Sequence, residues 1–164
     1  MTFIDHAPDR KGGRYGALLL FLVLTLAVGG AAGYATAPEI RSWYATLHQP
    51  SFAPPNGVFA PVWTALYILM AIAAWRVWRV TGLASRPLLL FFAQLVLNFA
   101  WSFIFFRAHR IDAALAEIVV LLGFIVWTAS SFAQRDRIAA LLFAPYIAWV
   151  GFATALNFAV WRLN

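Results

Sequence analysis

The stretch PLLLFFAQLVLNFAWSFIFF, residues 87–106, decides what kind of molecule this is. It carries no charged residue from Pro87 to Phe106. At about 1.5 Å per residue a helix of that length crosses about 30 Å, the thickness of a bilayer's hydrocarbon. Nowhere does it alternate polar and apolar residues as a lipid-spanning strand must. Gln94, Asn98, Trp101 and Phe105 recur at helical spacing and share one face, so the helix has a stripe to turn away from lipid.

Four further runs of this kind lie outward from it, at Tyr15–Ala35, Val58–Trp78, Ile111–Phe132 and Ile138–Trp161. The predicted fold is all-α: an integral membrane bundle of five transmembrane helices, forming one domain over residues 15–164 behind a basic tail of residues 1–14. The first run follows Arg10, Lys11 and Arg14 as a signal peptide would. Its apolar length exceeds the roughly 7–15 residues of such a peptide's core, so it reads as a retained span. Pro87 and Pro61 fall near helix starts, where a missing N–H is harmless. Asp112 and Asp136 are expected to cap the fourth and fifth spans. Pro145, inside the fifth, is expected to kink it.

Composition agrees. Of 164 residues, 63% are hydrophobic and 11% charged, against about 45–50% and about 25% in soluble domains. A chain this small cannot hide that much apolar surface in one core. Soluble enzymes and nucleic-acid binders are thereby disfavoured, and the net charge of +6 marks loops and lipid headgroups instead. There is no cysteine, so thiolate ligands and disulfides are excluded.

The one long connection, Thr36–Gly57, contains Pro38, Pro50, Pro54 and Pro55 and the aromatics Trp43, Tyr44 and Phe52. It either lids something or rests on the interface as part of an aromatic belt. Arg10, Lys11, Arg14, Arg76, Arg79, Arg86, Arg135 and Arg137 fall on one side of the bundle, Arg41, Arg107, Arg110 and Arg162 on the other. The positive-inside rule then places the N-terminus in the cytoplasm and the long loop outside.

Polar and aromatic residues concentrate in the long-loop half. Asn98 lies near the midplane, roughly 16 Å into its span. Trp101 and Ser102 lie beyond it. Trp63 and Thr64, Glu117, and Thr154 with Asn157 occupy the same half of their own spans. Trp63, Tyr67 and Met70 share a face, as do Tyr146, Trp149, Ala153 and Asn157. This is the profile of an aromatic-lined pocket, although each amide alone reads equally as interhelical glue. Glu117 is either a functional carboxylate or a partner of Arg110 or Arg107. Gly29 and Gly33 form a GxxxG that serves packing within a monomer as readily as in a dimer. His6, His48 and His109 all lie outside the spans, so neither a metal site nor a histidine-ligated haem is expected. The chemistry left is the binding of a large, flat, mostly apolar molecule.

The segments WYATLHQPSFAPP (43–55), FAPVWTALY (59–67), QLVLNFAWSFIFF (94–106), PYIAWVGFATALN (145–157) and VWRLN (160–164) resemble, in order, the motifs of the translocator protein / tryptophan-rich sensory protein family (TspO/MBR, the peripheral-type benzodiazepine receptors). The resemblance covers residues 15–164. It implies a five-helix bundle, often a homodimer, in the inner membrane of a bacterium. It also implies binding of porphyrins such as protoporphyrin IX and of benzodiazepine-type ligands, with no required cofactor. Bacterial members look like regulators of tetrapyrrole and stress responses. By position, the implied ligand site uses Tyr44, Trp63, Asn98, Trp101, Tyr146 and Trp149. Trp63 and Trp149 match tryptophans implicated in light-dependent porphyrin breakdown, the enzyme-like alternative to a receptor; a porphyrin or sterol transporter is the third reading. Two departures stand out: Phe52 where the family commonly has Trp, and Phe158 where its sterol-recognition segment has Tyr, which argues against sterol binding.

Overall fold

A computed structural model describes residues 10–164, with side chains described from residue 13. The tail of residues 1–9, His6 included, lies outside the described residues. The helices are α1 (Arg10–Arg41), α2 (Phe59–Thr81), α3 (Arg86–Ser102), α4 (Ile111–Ala133), α5 (Arg137–Leu141) and α6 (Ala144–Leu163). Among the described residues there is no strand. Five helical stretches are long and apolar enough to cross a membrane, the last made of α5 and α6 together. The molecule is an integral, multi-pass five-helix bundle.

Each helix buries one face. Tyr67, Met70, Ala74 and Val77 of α2 meet Leu88, Phe91 and Leu95 of α3, Ile118, Leu121 and Ile125 of α4, and Phe143, Tyr146 and Val150 from the last span. α4 packs on α3 and α6, and α1 chiefly on α2. Leu19, Leu20 and Val23 of α1 are left exposed, the apolar surface a lipid solvent requires. The Thr25 hydroxyl donates to the Tyr67 carbonyl at 3.1 Å, and a Cβ on Gly29 would overlap the Tyr67 ring. Gly29 therefore serves close approach of α1 to α2 within one chain.

Helix ends follow local chemistry. Gly82, at φ +75°, ends α2 in the left-handed region, its N–H donating to the Trp78 carbonyl at 2.9 Å. Pro87 sits in the first turn of α3. Asp136 caps α5, accepting from the Ala139 N–H at 3.0 Å. Asp112 does not cap α4: the capping position is Arg110, and the Asp112 carboxylate is held by the Arg110 guanidinium through two 3.0 Å bonds.

Two further expectations are corrected. α1 continues past Ala35 to Arg41 with Pro38 inside it, so the loop proper begins at Ser42. Both the Ser42 N–H and its hydroxyl donate to the Pro38 carbonyl, at 3.1 and 2.9 Å. Pro145 does not kink one continuous helix. The last span is broken at Leu142–Phe143, and Pro145 lies in the first turn of α6, the position where its ring costs no hydrogen bond. α3 gives way to a π-helical turn at Phe103–Arg107, a local widening common at functional sites.

Candidate functional site

A cavity of about 580 Å³ lies in the long-loop half of the bundle, enclosed by α1, α2, α3, α6 and the loop. That volume is typical of a small-molecule site. α2 contributes Trp63 and Tyr67, α3 contributes Asn98 and Trp101, α6 contributes Trp149 and Asn157, and the loop contributes Tyr44. α1 supplies a wall in which glycines and alanines are interspersed with Leu26, Tyr34, Thr36 and Ile40. Gly30 and Gly33 line the cavity, and a Cβ on either would meet nothing within 4 Å.

The floor is polar and directional. The Tyr67 hydroxyl donates to Asn98 Oδ1 at 2.5 Å. Asn98 Nδ2 donates to the Tyr146 hydroxyl at 3.0 Å, and that hydroxyl donates onward to Gln94 Oε1 at 2.9 Å. Gln94 Nε2 ends the chain on the Met70 sulfur at 3.8 Å. Buried polar groups in an apolar core demand such partners, and a chain of this kind orients its members. The Tyr67 hydrogen is committed to Asn98, so Tyr67 offers the cavity an acceptor oxygen. Asn98 is thus both glue between helices and part of the wall.

Tryptophans form the sides. Trp63 packs on Tyr67 and Tyr146, with ring centroids 5.7 and 6.2 Å away. Trp149 packs on Phe59 and Phe152 at 5.8 and 5.7 Å. Trp101 donates its indole N–H to Asn157 Oδ1 at 3.2 Å, and Asn157 Nδ2 donates to the Ile111 carbonyl at 3.1 Å. The Trp149 indole N–H is buried with no partner among the described residues, while its ring lines the cavity.

The loop packs back on the helix ends. Tyr44 is buried against Phe105 and Phe106 of the π-helical turn, at 6.0 and 5.6 Å, and donates its hydroxyl hydrogen to Gln49 Oε1 at 3.2 Å. Burial raises the Tyr44 phenol above its usual range, against the smaller opposing effect of the Gln49 bond. Trp43 stacks on His109, and Glu39 at the end of α1 holds both Arg107 and His109 at 3.1 Å. Further along, the His48 N–H donates to Asn164 Oδ1 at 2.9 Å, and Asn164 Nδ2 donates back to the His48 carbonyl at 3.2 Å. Phe52 meets Phe152 at 6.2 Å, so this phenyl packs on the last span.

Of the six residues the sequence nominated, Tyr44, Trp63, Asn98, Trp101 and Trp149 line the cavity. Tyr146 does not: it is fully buried and acts on the site through Asn98. Tyr67, Phe105 and Asn157 were not nominated and do line it. Two of these could have been found, since Tyr67 falls one turn after Trp63 and Asn157 two turns after Trp149. Glu117 pairs with neither Arg110 nor Arg107. Both its oxygens are buried without a partner among the described residues, and it is not part of the cavity wall.

Comparison with known proteins places this geometry. Residues 21–162 match the model of the TspO/MBR family. The chain is 39% identical to the tryptophan-rich protein TspO of Archaeoglobus fulgidus, over 90% of this chain and 96% of that one. It is 39% identical to the tryptophan-rich sensory protein of Cereibacter sphaeroides, over 88% of this chain and 91% of that one. It is 41% identical to the human translocator protein, over 74% of this chain and 75% of that one. With the family model matched across nearly all the described residues, and these relatives across most of their own length, the chain belongs to the TspO/MBR family.

Proposed function

We propose that the protein is a membrane receptor or sensor that binds porphyrins of the protoporphyrin IX type, and benzodiazepine-type ligands, in the cavity beneath Tyr44, and so regulates tetrapyrrole or stress responses. The observation that carries this reading is the wall itself. Three tryptophans and three tyrosines surround a space of about 580 Å³, with the Tyr67–Asn98 hydrogen bond in its wall. Flat aromatic surfaces suit a flat conjugated ring, and the few polar groups orient it. One relative is named a sensory protein and another a translocator protein, names that suit a receptor. No metal or cofactor enters the reading, which has a homodimer in the bacterial inner membrane with its N-terminus in the cytoplasm.

A second reading, light-dependent breakdown of the porphyrin with dioxygen as oxidant, is favoured by one observation. Trp63 and Trp149, both oxidisable indoles, line the same cavity. A fluorescence time course of protein-bound protoporphyrin IX, in light and in dark, separates the two. A receptor leaves the ligand intact under both conditions. Loss of fluorescence in light that exceeds the loss without protein, and that disappears in Trp63→Phe and Trp149→Phe, overturns the pure-receptor reading. Failure of metal-free porphyrin to bind at all overturns both.

A further inference from the structure

At the opposite end of the bundle from the cavity, the break in the last span leaves a groove. It has a volume of about 550 Å³ and runs between the end of α4 and the α5–α6 junction. Its walls are Ala133, Ala140, Leu141, Ala144 and Ile147, and its polar residues are Gln134 and Arg137. Leu141 is 69% exposed, one turn into the last apolar span.

The charges around the groove are unevenly committed. Arg76 is paired with Asp136 at 2.9 Å. Arg79 lies over the Trp75 ring at 4.1 Å and Arg86 over the Trp127 ring at 5.6 Å. Asp136, the one acid at this corner among the described residues, is doubly occupied by Arg76 and by the Ala139 N–H. Arg135 and Arg137 have no ion pair or ring partner among the described residues. A groove that is apolar along its length and cationic at its polar end, with its only nearby acid among the described residues neutralised, is complementary to an amphiphile with a negative head.

We propose that the α4–α5–α6 groove is a binding site for an anionic phospholipid, its acyl chain along Ala140, Leu141, Ala144 and Ile147 and its phosphate at Arg137 and Gln134. The bilayer is the solvent of this face, so a lipid is the occupant at hand. The uncommitted guanidinium is what selects its charge, since basic residues at headgroup depth attract anionic lipids individually. Arg presents a planar fork that suits a phosphate diester. The proposal is independent of what the cavity binds.

The test uses the full chain reconstituted in vesicles of equal parts phosphatidylglycerol and phosphatidylcholine, then extracted in mild detergent and read by native mass spectrometry. Wild-type protein is expected to retain phosphatidylglycerol over phosphatidylcholine. Arg137→Gln is expected to lower that retention about fivefold, the effect of one basic residue at the surface. Leu141→Trp, which fills the groove and leaves both arginines in place, is expected to lower it as well. Arg162→Gln, at the other end of the bundle, should leave it unchanged. Both Arg137 and Leu141 are exposed, so neither variant threatens folding. Equal retention of the two lipids, or retention undiminished in Arg137→Gln or Leu141→Trp, overturns the proposal. So does displacement of the lipid by excess inorganic phosphate, which would make the site one for free anions.

Discussion

Trp43 of the loop and His109 of the α3–α4 connection lie ring on ring, with 4.2 Å between centroids and 15° between planes. His109 holds φ at +53° to do so, and Glu39 grips it from the end of α1 at 3.1 Å. The residue next to Trp43 is Tyr44, which closes the cavity. The stack therefore pins the lid to the helix ends on the side away from the His48–Asn164 clasp.

Trp43→Ala should free that pin and speed ligand release. Aromatic pairs are worth about 0.5–1.5 kcal/mol beyond buried area, so the porphyrin off-rate should rise up to about tenfold. Stopped-flow fluorescence after dilution into empty detergent micelles measures it. An unchanged off-rate would mean that Tyr44 stays closed without its neighbour.

Trp149→Ala should weaken protoporphyrin IX binding by roughly tenfold or more, about 1.4 kcal/mol. It removes an aromatic face of the cavity wall. Trp78→Ala, at the other end of α2, should change binding little. Fluorescence titration of the two variants decides, and a larger loss in Trp78→Ala would place the ligand elsewhere.

Tyr146→Phe should destabilise the bundle without touching the cavity surface. The hydroxyl it deletes accepts from Asn98 and donates to Gln94, so two buried amides lose a partner. Each orphaned group costs about 1–3 kcal/mol in soluble cores, and less where other partners are found in a membrane. Thermal unfolding in detergent should show a lower midpoint than wild type, and a smaller drop in Gln94→Leu/Tyr146→Phe than the two single drops combined.

Acid should loosen the α2–α5 corner. Burial alone would raise the Asp136 carboxyl, but the Ala139 N–H and the Arg76 guanidinium outweigh it and hold it below the usual carboxylate range. A carboxyl depressed on folding contributes stability that is complete above its unfolded value and is lost as pH falls through its folded one. Stability should therefore drop on the acid side of about pH 4. Asp136→Asn should flatten that limb in a pH series of unfolding midpoints. An unaltered acid limb would show that the carboxylate is not responsible.

Orientation is checked by single cysteines, since the chain has none of its own. An impermeant thiol reagent on intact cells should label Ala53→Cys in the loop and spare Ala84→Cys between α2 and α3. The reverse pattern would invert the topology.

Hydropathy located all five spans because it measures where hydrocarbon begins and ends. It does not measure where a helix ends, which is why Thr36–Arg41 looked like loop: the turn is polar and holds Pro38, yet it stays helical. The break before Pro145 was equally hidden. A proline inside an apolar run can kink a helix or begin a new one, and only packing decides which. In the site, Trp63, Asn98, Trp101 and Trp149 were legible from depth and face together. Tyr146, placed in the site by resemblance, lies behind Asn98 and not in the wall, because a motif match gives a position in sequence and not a distance from the cavity. Glu117 shows the limit of sequence distance too, since the arginines two and three turns before it hold Asp112 and Glu39 instead.

Where most binding sites define their occupant by what their side chains touch, this one is bounded along part of α1 by positions that carry none. Gly30 and Gly33 leave patches of bare backbone among Leu26, Tyr34, Thr36 and Ile40 on that side of the cavity, so part of the width of the molecule admitted is set by atoms that are absent. Selectivity here has a dimension that can be trimmed a methyl group at a time, along a single helix turn, while every aromatic face and every hydrogen bond stays as it is.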